Sequence, residues 1–263
     1  MDLSADIDLA HALADAAGAA IRPFFRAPFV QEQKADQSPV TEADRAAEAA
    51  IRAILERERP EDGIIGEEYG ADRADAERVW VLDPIDGTRA FIAGRPIFGT
   101  LIALMVGGRP VVGVIDQPIG RERWVGGPEG TSFNGAPVRT RGCRDLGAAS
   151  LATTSPHLFD GPDEAAFFGV ARAVSGGALR QNLIYGGDYY NYGLLASGSL
   201  DLVVEAGLQL YDWAALVPVV EGAGGRMIDW TGAPLQQGSD GRVIAAGDPA
   251  LVEQAMAAMS SRN

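Results

Sequence analysis

The sequence has few of the residues that build disulfide or zinc sites, and its charge is strongly acidic. Among 263 residues there is one cysteine, Cys143, and there are two histidines, His11 and His157. A single cysteine excludes an internal disulfide framework and is typical of a reducing cytoplasm. Two histidines give little support to a zinc site or a histidine nucleophile. The formal net charge of −14 argues against a nucleic-acid-binding protein, which normally has a basic surface.

Long apolar runs and several familiar catalytic motifs are also missing. No stretch approaches the roughly 20 apolar residues that span a bilayer. The acidic residues Asp2, Asp6 and Asp8 near the N-terminus do not fit a signal peptide. There is no Gly-x-Ser-x-Gly elbow, no Walker loop and no His-Glu-x-x-His motif, which excludes several hydrolase and nucleotide-binding classes. We therefore expect a cytoplasmic protein with neither a membrane nor a nucleic-acid partner.

The stretch that points to chemistry is residues 80–88, WVLDPIDGT. Its bulky apolar residues indicate the end of a buried strand, and Pro84 and Gly87 then turn the chain. Asp83 and Asp86 are thereby held close together, where they repel each other unless a proton, a basic side chain or a metal ion is present. No Lys or Arg lies between Trp80 and Thr88, which favours a hard metal ion such as Mg²⁺. Ordinary turn chemistry explains the stretch alone equally well.

The first part of the chain predicts two amphipathic helices. Apolar residues recur at helical spacing over residues 3–25 and 41–59. Thr41 is the expected N-cap of the second helix, and Asp44 is its expected capping-box partner. Residues 26–39 between the helices have no periodicity, which predicts a loop or a loose hairpin of the kind that can act as a lid.

The rest of the chain predicts two different arrangements of strands. From residue 63 onward, short apolar runs between glycine turns predict a strand that ends in a pair of glutamates and then an antiparallel meander. Beyond residue 145, strands alternate with helices, which predicts an α/β arrangement. We therefore predict an α/β protein with an α+β N-terminal half, residues 1–145, and an α/β C-terminal half, residues 146–263. The predicted elements of the second half are strands at 150–154, 178–183, 200–204, 226–229 and 243–246 and helices at 162–174, 188–197, 213–223 and 250–259.

Three remote motifs together resemble the inositol monophosphatase superfamily of Mg²⁺-dependent phosphatases. They are Gly66-Glu67-Glu68, the 80–88 stretch, and Asp212 followed by Gly224-Gly225. They occur in the order that the family has, and the resemblance covers nearly the whole chain. It implies the family's layered α-β-α-β-α sandwich, of the inositol monophosphatase and fructose-1,6-bisphosphatase type. Members are commonly homodimers, and the 26–39 segment resembles the mobile arm of the family.

The resemblance implies a role for each matching residue. The residues that match metal ligands are Glu67, Asp83, Asp86, Asp212 and, through its backbone carbonyl, Ile85. They would hold two to three Mg²⁺ ions per active site. Gly87 and Thr88 match the backbone N–H groups that hold the phosphate. Asp44 and Thr88 match the pair that orients the attacking water. Together with Glu67 they are the predicted catalytic residues. Asp44 therefore has a second possible role besides helix capping.

Several segments are similar to the histidinol-phosphate phosphatases of the superfamily rather than to its inositol-type members. They are residues 211–225, the continuation of Thr88 through residue 96, and Gly186-Gly187-Asp188-Tyr189. Inositol phosphatases place a small alanine at the position of Asp188, whereas a carboxylate there would pair with the ammonium or the imidazole of histidinol. Glu205 matches the family's substrate-contacting glutamate, and Asp212 is also expected to contact substrate. Alternatively, Asp188 only caps the following helix.

The sequence thus predicts a Mg²⁺-dependent phosphomonoesterase that hydrolyses L-histidinol phosphate to L-histidinol and phosphate in histidine biosynthesis. An activated water would attack the phosphorus in line with the leaving alcohol. The alternatives are an inositol-1-monophosphatase or a broad-specificity sugar-phosphate phosphatase, and a non-catalytic regulatory member of the family. The expected partners are a small phosphorylated substrate and a second copy of the chain.

Overall fold

The computed structural model of the protein describes residues 2–28, 31–33, 39–174 and 182–260. The helices in this part of the chain are α1 (Ser4–Ile21), α2 (Glu42–Glu58), α3 (Thr88–Ile92), α4 (Pro162–Val174), α5 (Tyr190–Ala196), α6 (Leu210–Trp213), α7 (Leu216–Gly222) and α8 (Ala250–Ser260). The strands are β1 (Gln31–Gln33), β2 (Pro39–Thr41), β3 (Gly63–Gly66), β4 (Gly70–Asp72), β5 (Arg78–Asp86), β6 (Gly99–Val106), β7 (Arg109–Gln117), β8 (Glu122–Gly127), β9 (Gly130–Phe133), β10 (Ala136–Val138), β11 (Leu151–Thr153), β12 (Leu183–Tyr185), β13 (Leu202–Glu205), β14 (Arg226–Ile228) and β15 (Val243–Ala246).

An eight-stranded sheet forms the centre of the first half, in the order β10-β9-β8-β7-β6-β5-β3-β4. The predicted antiparallel meander after the aspartate stretch is confirmed as β6 to β10, and β5 also pairs antiparallel with β6. The parallel pairing of β3 with β5 was not predicted. It sets Gly66 opposite Leu82, so the carboxyl ends of the two strands meet at one edge of the sheet. Glu67 therefore lies beside Asp83, and its amide donates to the Leu82 carbonyl at 3.2 Å.

The strand that we expected to end before Asp83 in fact continues to Asp86. Its pairing with β6 shifts register between these two aspartates. Pro84 lies within the shift, since it has no N–H to donate to a sheet ladder. The Thr100 hydroxyl donates to the Pro84 carbonyl at 2.8 Å and fixes the irregularity. The predicted turn is therefore a bulge in a buried strand, which holds both aspartates rigidly.

A five-stranded sheet forms the centre of the second half, in the order β12-β11-β13-β15-β14. β11 pairs parallel with both of its neighbours, whereas β15 pairs antiparallel with β13 and β14. The helix predicted at 213–223 corresponds to α7, which begins only at Leu216, whereas Trp213 ends the preceding helix α6. Pro218 accounts for the break, because it lacks an N–H and its ring crowds the preceding turn. Of the strand predicted at 178–183, positions 178–181 lie outside the described residues; Asn182 is not part of a strand, and β12 begins at Leu183.

The elements stack in five layers, which confirms the predicted α-β-α-β-α sandwich. One outer layer is α1 and α2, which pack on the eight-stranded sheet around Leu13, Ile51 and Trp80. The middle layer is α5, α6 and α7, which pack between the sheets around Trp124 and Trp213. The other outer layer is α4 and α8, which pack with the five-stranded sheet. Because both halves share the middle core, the division near residue 145 stays a prediction.

The predicted loop or hairpin at 26–39 contains β1 and the first residue of β2, and these two strands pair antiparallel with Gln31 opposite Thr41. Residues 29–30 and 34–38 of this segment lie outside the described residues. Within the described part of the chain, none of the helices combines the length and the apolar character that a membrane crossing requires.

Candidate active site

Three aspartates converge at the carboxyl end of β5. Carboxylate oxygens of Asp83, Asp86 and Asp212 all lie within 4.8 Å of one another. Asp83 and Asp86 come from the bulge in β5, whereas Asp212 comes from α6 in the middle layer. Asp83 is buried, and its Oδ1 has no hydrogen-bond partner among the described residues. An uncompensated carboxylate in the interior is costly, so the cluster is suited to a cation.

Burial and mutual repulsion both favour the protonated form of these carboxyl groups. Burial, followed by the charges of Glu67, Asp86 and Asp212, raises the pKa of Asp83 well above its usual value. Burial and then the charge of Asp188 raise the pKa of Asp86 in the same direction. Burial raises the pKa of Asp212 to about 7, against the hydrogen bond that its Oδ2 accepts from the Gln209 amide at 2.6 Å. Several carboxylate oxygens this close together are suited to a hard divalent ion such as Mg²⁺.

Glu48 holds the turn that carries Glu67, and the sequence analysis missed it. Glu48 is fully buried on α2, and its carboxylate accepts hydrogen bonds from the amides of Glu68 at 2.8 Å and Tyr69 at 3.2 Å. A Cβ added to Gly66 would lie 2.0 Å from Glu48 Oε1, so this close approach needs glycine directly before Glu67. The available signal was a carboxylate on the apolar face of an amphipathic helix, where charges are rare.

Asp44 makes the capping contacts that the sequence predicts. Its Oδ2 accepts hydrogen bonds from the Thr41 amide at 2.8 Å and from the Thr41 hydroxyl at 2.5 Å, which confirms the capping box. Its buried Oδ1 has no hydrogen-bond partner within the described residues, and burial raises the pKa of Asp44 to about 6. The Thr88 hydroxyl donates to the Ile85 carbonyl at 3.1 Å rather than to Asp44. The water-orienting role of this pair stays a prediction.

Gly87 joins the aspartate bulge to the first turn of α3. Its φ of +81° lies in the left-handed region, which glycine adopts without strain. The N–H groups in the first turn of a helix have no partner within the helix and are therefore suited to an anion. A Cβ at position 87 would lie 3.2 Å from Asp188 Oδ2 and 3.4 Å from the Ile97 carbonyl oxygen. Asp188 thus stands directly beside the predicted phosphate position.

A cavity of about 620 Å³ opens in front of this bulge. The predicted site residues that line it are Glu67, Asp86, Gly87, Thr88, Asp188, Glu205 and Asp212. Asp44, Asp83 and Ile85 are not among its lining residues; all three are buried behind it. The lining side chains that the sequence analysis did not assign to the site include Arg89, Arg95, His157 and Tyr192.

Glu205 is positioned by the parallel pairing of β11 and β13, which brings the ends of both strands together. It is 2% exposed and accepts hydrogen bonds from the Thr154 amide at 2.6 Å, the Thr154 hydroxyl at 2.9 Å and the Thr153 hydroxyl at 3.2 Å. Burial raises the pKa of Glu205 to about 7, although the bonds from Thr154 oppose the shift.

Asp188 lies just before α5 and does not cap it. The N-cap of α5 is Tyr189, with no side-chain hydrogen bond to the helix end among the described residues, so the capping interpretation is wrong. Asp188 has a φ of +41°, a conformation that aspartate and asparagine tolerate better than most residues. Burial raises the pKa of Asp188, while Thr154, Arg95 and Arg89 act in the opposite direction.

We expect the metal-free protein to lose stability as the pH rises through about 7. The pKa values of Asp212 and Glu205 are about 7 in the folded protein, against ordinary values of 3.8 and 4.5. The folded state therefore keeps protons that the unfolded chain has released. This stabilisation is complete below about pH 4 and is lost above the folded pKa. Each group contributes on the order of 1 kcal/mol to the change between about pH 6 and about pH 8.

Urea unfolding in EDTA at these two pH values checks this expectation. Glu205→Gln removes one of the groups with a raised pKa, so the pH dependence should shrink in this variant. A metal-free protein that is more stable at the higher pH would contradict the proton linkage.

Comparisons with known proteins agree on one family. The model of the inositol monophosphatase family matches residues 2–263. A chloroplastic bifunctional phosphatase of Arabidopsis thaliana is 48% identical over 256 residues, which cover 94% of this chain and 72% of that protein. A histidinol-phosphatase of Chlorobaculum parvum is 34% identical over 98% of both chains. The solved structure of an inositol monophosphatase from Zymomonas mobilis is 58% identical, with a TM-score of 0.89 and coverage of 99% of this chain and 100% of that one.

Proposed function

The chain belongs to the inositol monophosphatase family, and on this premise we propose that it is a Mg²⁺-dependent phosphomonoesterase whose preferred substrate is L-histidinol phosphate. The observation that supports the substrate is the carboxylate of Asp188, which stands beside Gly87 and lines the cavity where we place the organic part of the bound ester. Curated histidinol-phosphatases among the relatives favour the same substrate. The homodimer and the cytoplasmic location stay predictions.

We assign the metal-binding role to carboxylates at the end of β5 and their neighbours. Asp83, Asp86 and Asp212 bring oxygens within 4.8 Å of one another, Glu67 stands beside Asp83, and Ile85 offers its carbonyl. Together they would hold two to three Mg²⁺ ions. Bound Mg²⁺ supplies positive charge for the phosphate and lowers the pKa of a coordinated water.

The remaining roles belong to residues around the bulge. The N–H groups of Gly87 and Thr88 bind the phosphate oxygens at the start of α3. The Thr88 hydroxyl and Asp44 orient the water that attacks the phosphorus. Asp44 Oδ1 is buried and has no partner within the described ranges, and the pKa of its carboxyl group is raised to about 6, so this oxygen can accept a proton near neutral pH.

Acidic side chains would bind the cationic groups of the substrate, and basic side chains would attract its phosphate. Glu205 and Asp188 face the same cavity and would pair with the ammonium and imidazole groups of histidinol. Arg89 and Arg95 are exposed at the cavity in a chain of net charge −14. They would attract the phosphate dianion toward an otherwise acidic site.

A phosphate-release assay over four substrate types tests the proposal. The substrates are histidinol phosphate, inositol 1-phosphate, fructose 1,6-bisphosphate and adenosine bisphosphate, each with Mg²⁺. We expect the highest kcat/KM for histidinol phosphate. Turnover of inositol 1-phosphate at an equal or higher kcat/KM would overturn the substrate assignment. Absence of release from every substrate would favour the non-catalytic alternative.

Asp188→Asn should lower kcat/KM for histidinol phosphate by about 10- to 100-fold, which corresponds to one charge-assisted hydrogen bond. Asparagine keeps the shape and tolerates the φ of +41°, so the substitution removes mainly the charge. Inositol 1-phosphate carries no cation for Asp188 to pair with, and its kcat/KM should change little.

The matched control is Asp75→Asn, since Asp75 is exposed and does not line the cavity. We expect wild-type kinetics from this variant with both substrates. Equal losses on the two substrates in Asp188→Asn would remove Asp188 from recognition of the organic group.

A further inference from the structure

Tyr192 has a buried hydroxyl group that is left without a hydrogen bond in the described part of the chain. The residue lies on α5 and is 1% exposed, with its ring in the core between the two sheets. Its hydroxyl has no hydrogen-bond partner among the described residues. Buried polar groups are rarely left in this state, because an unpaired hydroxyl costs about 1–3 kcal/mol.

Tyr192 belongs to the lining of the cavity, and several acidic groups of the proposed site influence it. Tyr192 lines the cavity in front of the aspartate bulge. The carboxylates of Glu205, Asp86, Asp212 and Asp188 all act on it, with Glu205 the strongest of the four. After burial, which is the largest cause, these charges raise the pKa of Tyr192 well above its usual value. The phenol is therefore neutral and can both donate and accept a hydrogen bond.

The neighbouring carboxylates already have other donors. Glu205 is held by Thr154, and Asp86 Oδ2 accepts the Tyr189 amide at 3.0 Å. The adjacent tyrosines are also satisfied: the Tyr189 hydroxyl donates to the Phe98 carbonyl, and the Tyr190 hydroxyl donates to Glu122 at 2.6 Å. Of these three tyrosines, Tyr192 is the one whose hydroxyl has no partner among the described residues, and it lines the cavity.

We propose that Tyr192 determines specificity, and that its hydroxyl binds the polar group on the carbon next to the phosphorylated carbon of the substrate. This inference rests on the proposed function. Tyr192 lines the same cavity as Glu205, assigned to the organic part, and Asp86, assigned to the metal-phosphate end, so we place its hydroxyl at the junction of the two. In an amino-alcohol phosphate the group at this junction is an ammonium, whose N–H donates to the phenol oxygen while Glu205 balances its charge.

The experiment compares Tyr192→Phe with wild type on histidinol phosphate and on its des-amino analogue. We expect kcat/KM for histidinol phosphate to fall by about 10- to 100-fold, while the analogue, which has no ammonium, is hydrolysed as before. The Tm of Tyr192→Phe should equal or exceed that of wild type, because none of the described residues forms a hydrogen bond with the hydroxyl. A hydroxyl with only a structural role would lower the Tm instead.

Tyr190→Phe is the matched control, since its hydroxyl bonds Glu122 and Tyr190 does not line the cavity. It should lower the Tm and leave kcat/KM for both substrates unchanged. Equal losses of Tyr192→Phe on both substrates, no loss on either, or a lower Tm would each overturn the inference. The ratio of wild-type kcat/KM values for histidinol phosphate and inositol 1-phosphate tests the proposed function. The ratio of kcat/KM between Tyr192→Phe and wild type tests the role of Tyr192 separately.

Discussion

Asp86→Asn is expected to lower Mg²⁺-dependent phosphate release by about 10³-fold or more. A carboxylate oxygen of Asp86 lies within 4.8 Å of oxygens of Asp83 and Asp212, and Asp86 Oδ2 also accepts a hydrogen bond from the Tyr189 amide. Asparagine has similar size but carries no charge and offers one oxygen instead of two. Metal ions contribute several kcal/mol of charge stabilisation to such reactions, and each 1.36 kcal/mol corresponds to about tenfold in rate.

A second measurement separates loss of metal from loss of fold. Asp86→Asn removes a charge that repels Asp212, so the metal-free variant should be at least as stable as wild type. The increase in Tm that Mg²⁺ produces should be smaller or absent in the variant. Asp75→Asn serves again as the control and should keep both activity and the Mg²⁺-induced increase. Undiminished activity of Asp86→Asn, or of wild type in EDTA, would contradict the metal assignment.

Gly87→Ala should lower kcat/KM by about 10²-fold and destabilise the protein by about 1 kcal/mol. The stability loss arises because alanine is strained at a φ of +81°. The activity loss arises because the new Cβ would lie 3.2 Å from Asp188 Oδ2 and next to the predicted phosphate position. Displacements near 1 Å at a reacting centre reduce rates by about this factor. Phosphate release and thermal unfolding measure the two effects.

Gly108→Ala provides the backbone strain without the contact. Gly108 has a φ of +77° in the turn between β6 and β7, and a Cβ there would meet no atom within 4 Å. We expect a similar loss of stability and wild-type kcat/KM. If Gly108→Ala lost activity to the same extent, the effect of Gly87→Ala would be a general consequence of destabilisation rather than of a blocked phosphate position.

Local patterns were sufficient for the features that depend on neighbouring residues. Helical spacing predicted α2, and the Thr41 and Asp44 signature predicted its capping box. The spacing of Asp83 and Asp86 predicted a pair of close carboxylates. Asp212 lies far along the chain, so only the family resemblance, and not any local pattern, connected it with them.

The features that the sequence did not reveal depend on which elements become neighbours. The sequence of an apolar run does not identify the strand with which it pairs, so the parallel pairing of β3 with β5 could not be predicted. Asp188 matched a capping pattern, but its backbone conformation and the start of α5 exclude that role. That the Tyr192 hydroxyl has no hydrogen-bond partner among the described residues can be recognised only from the positions of the groups around it.

The origin of the three clustered aspartates has a consequence for the integrity of the molecule. Two of them belong to the eight-stranded sheet and the third to the layer of helices between the sheets. A metal ion bound by the three aspartates would therefore connect the two layers. Its binding would depend on the spacing of the layers to within about a few tenths of an ångström. A small loosening of the middle layer would silence the enzyme well before the fold is lost.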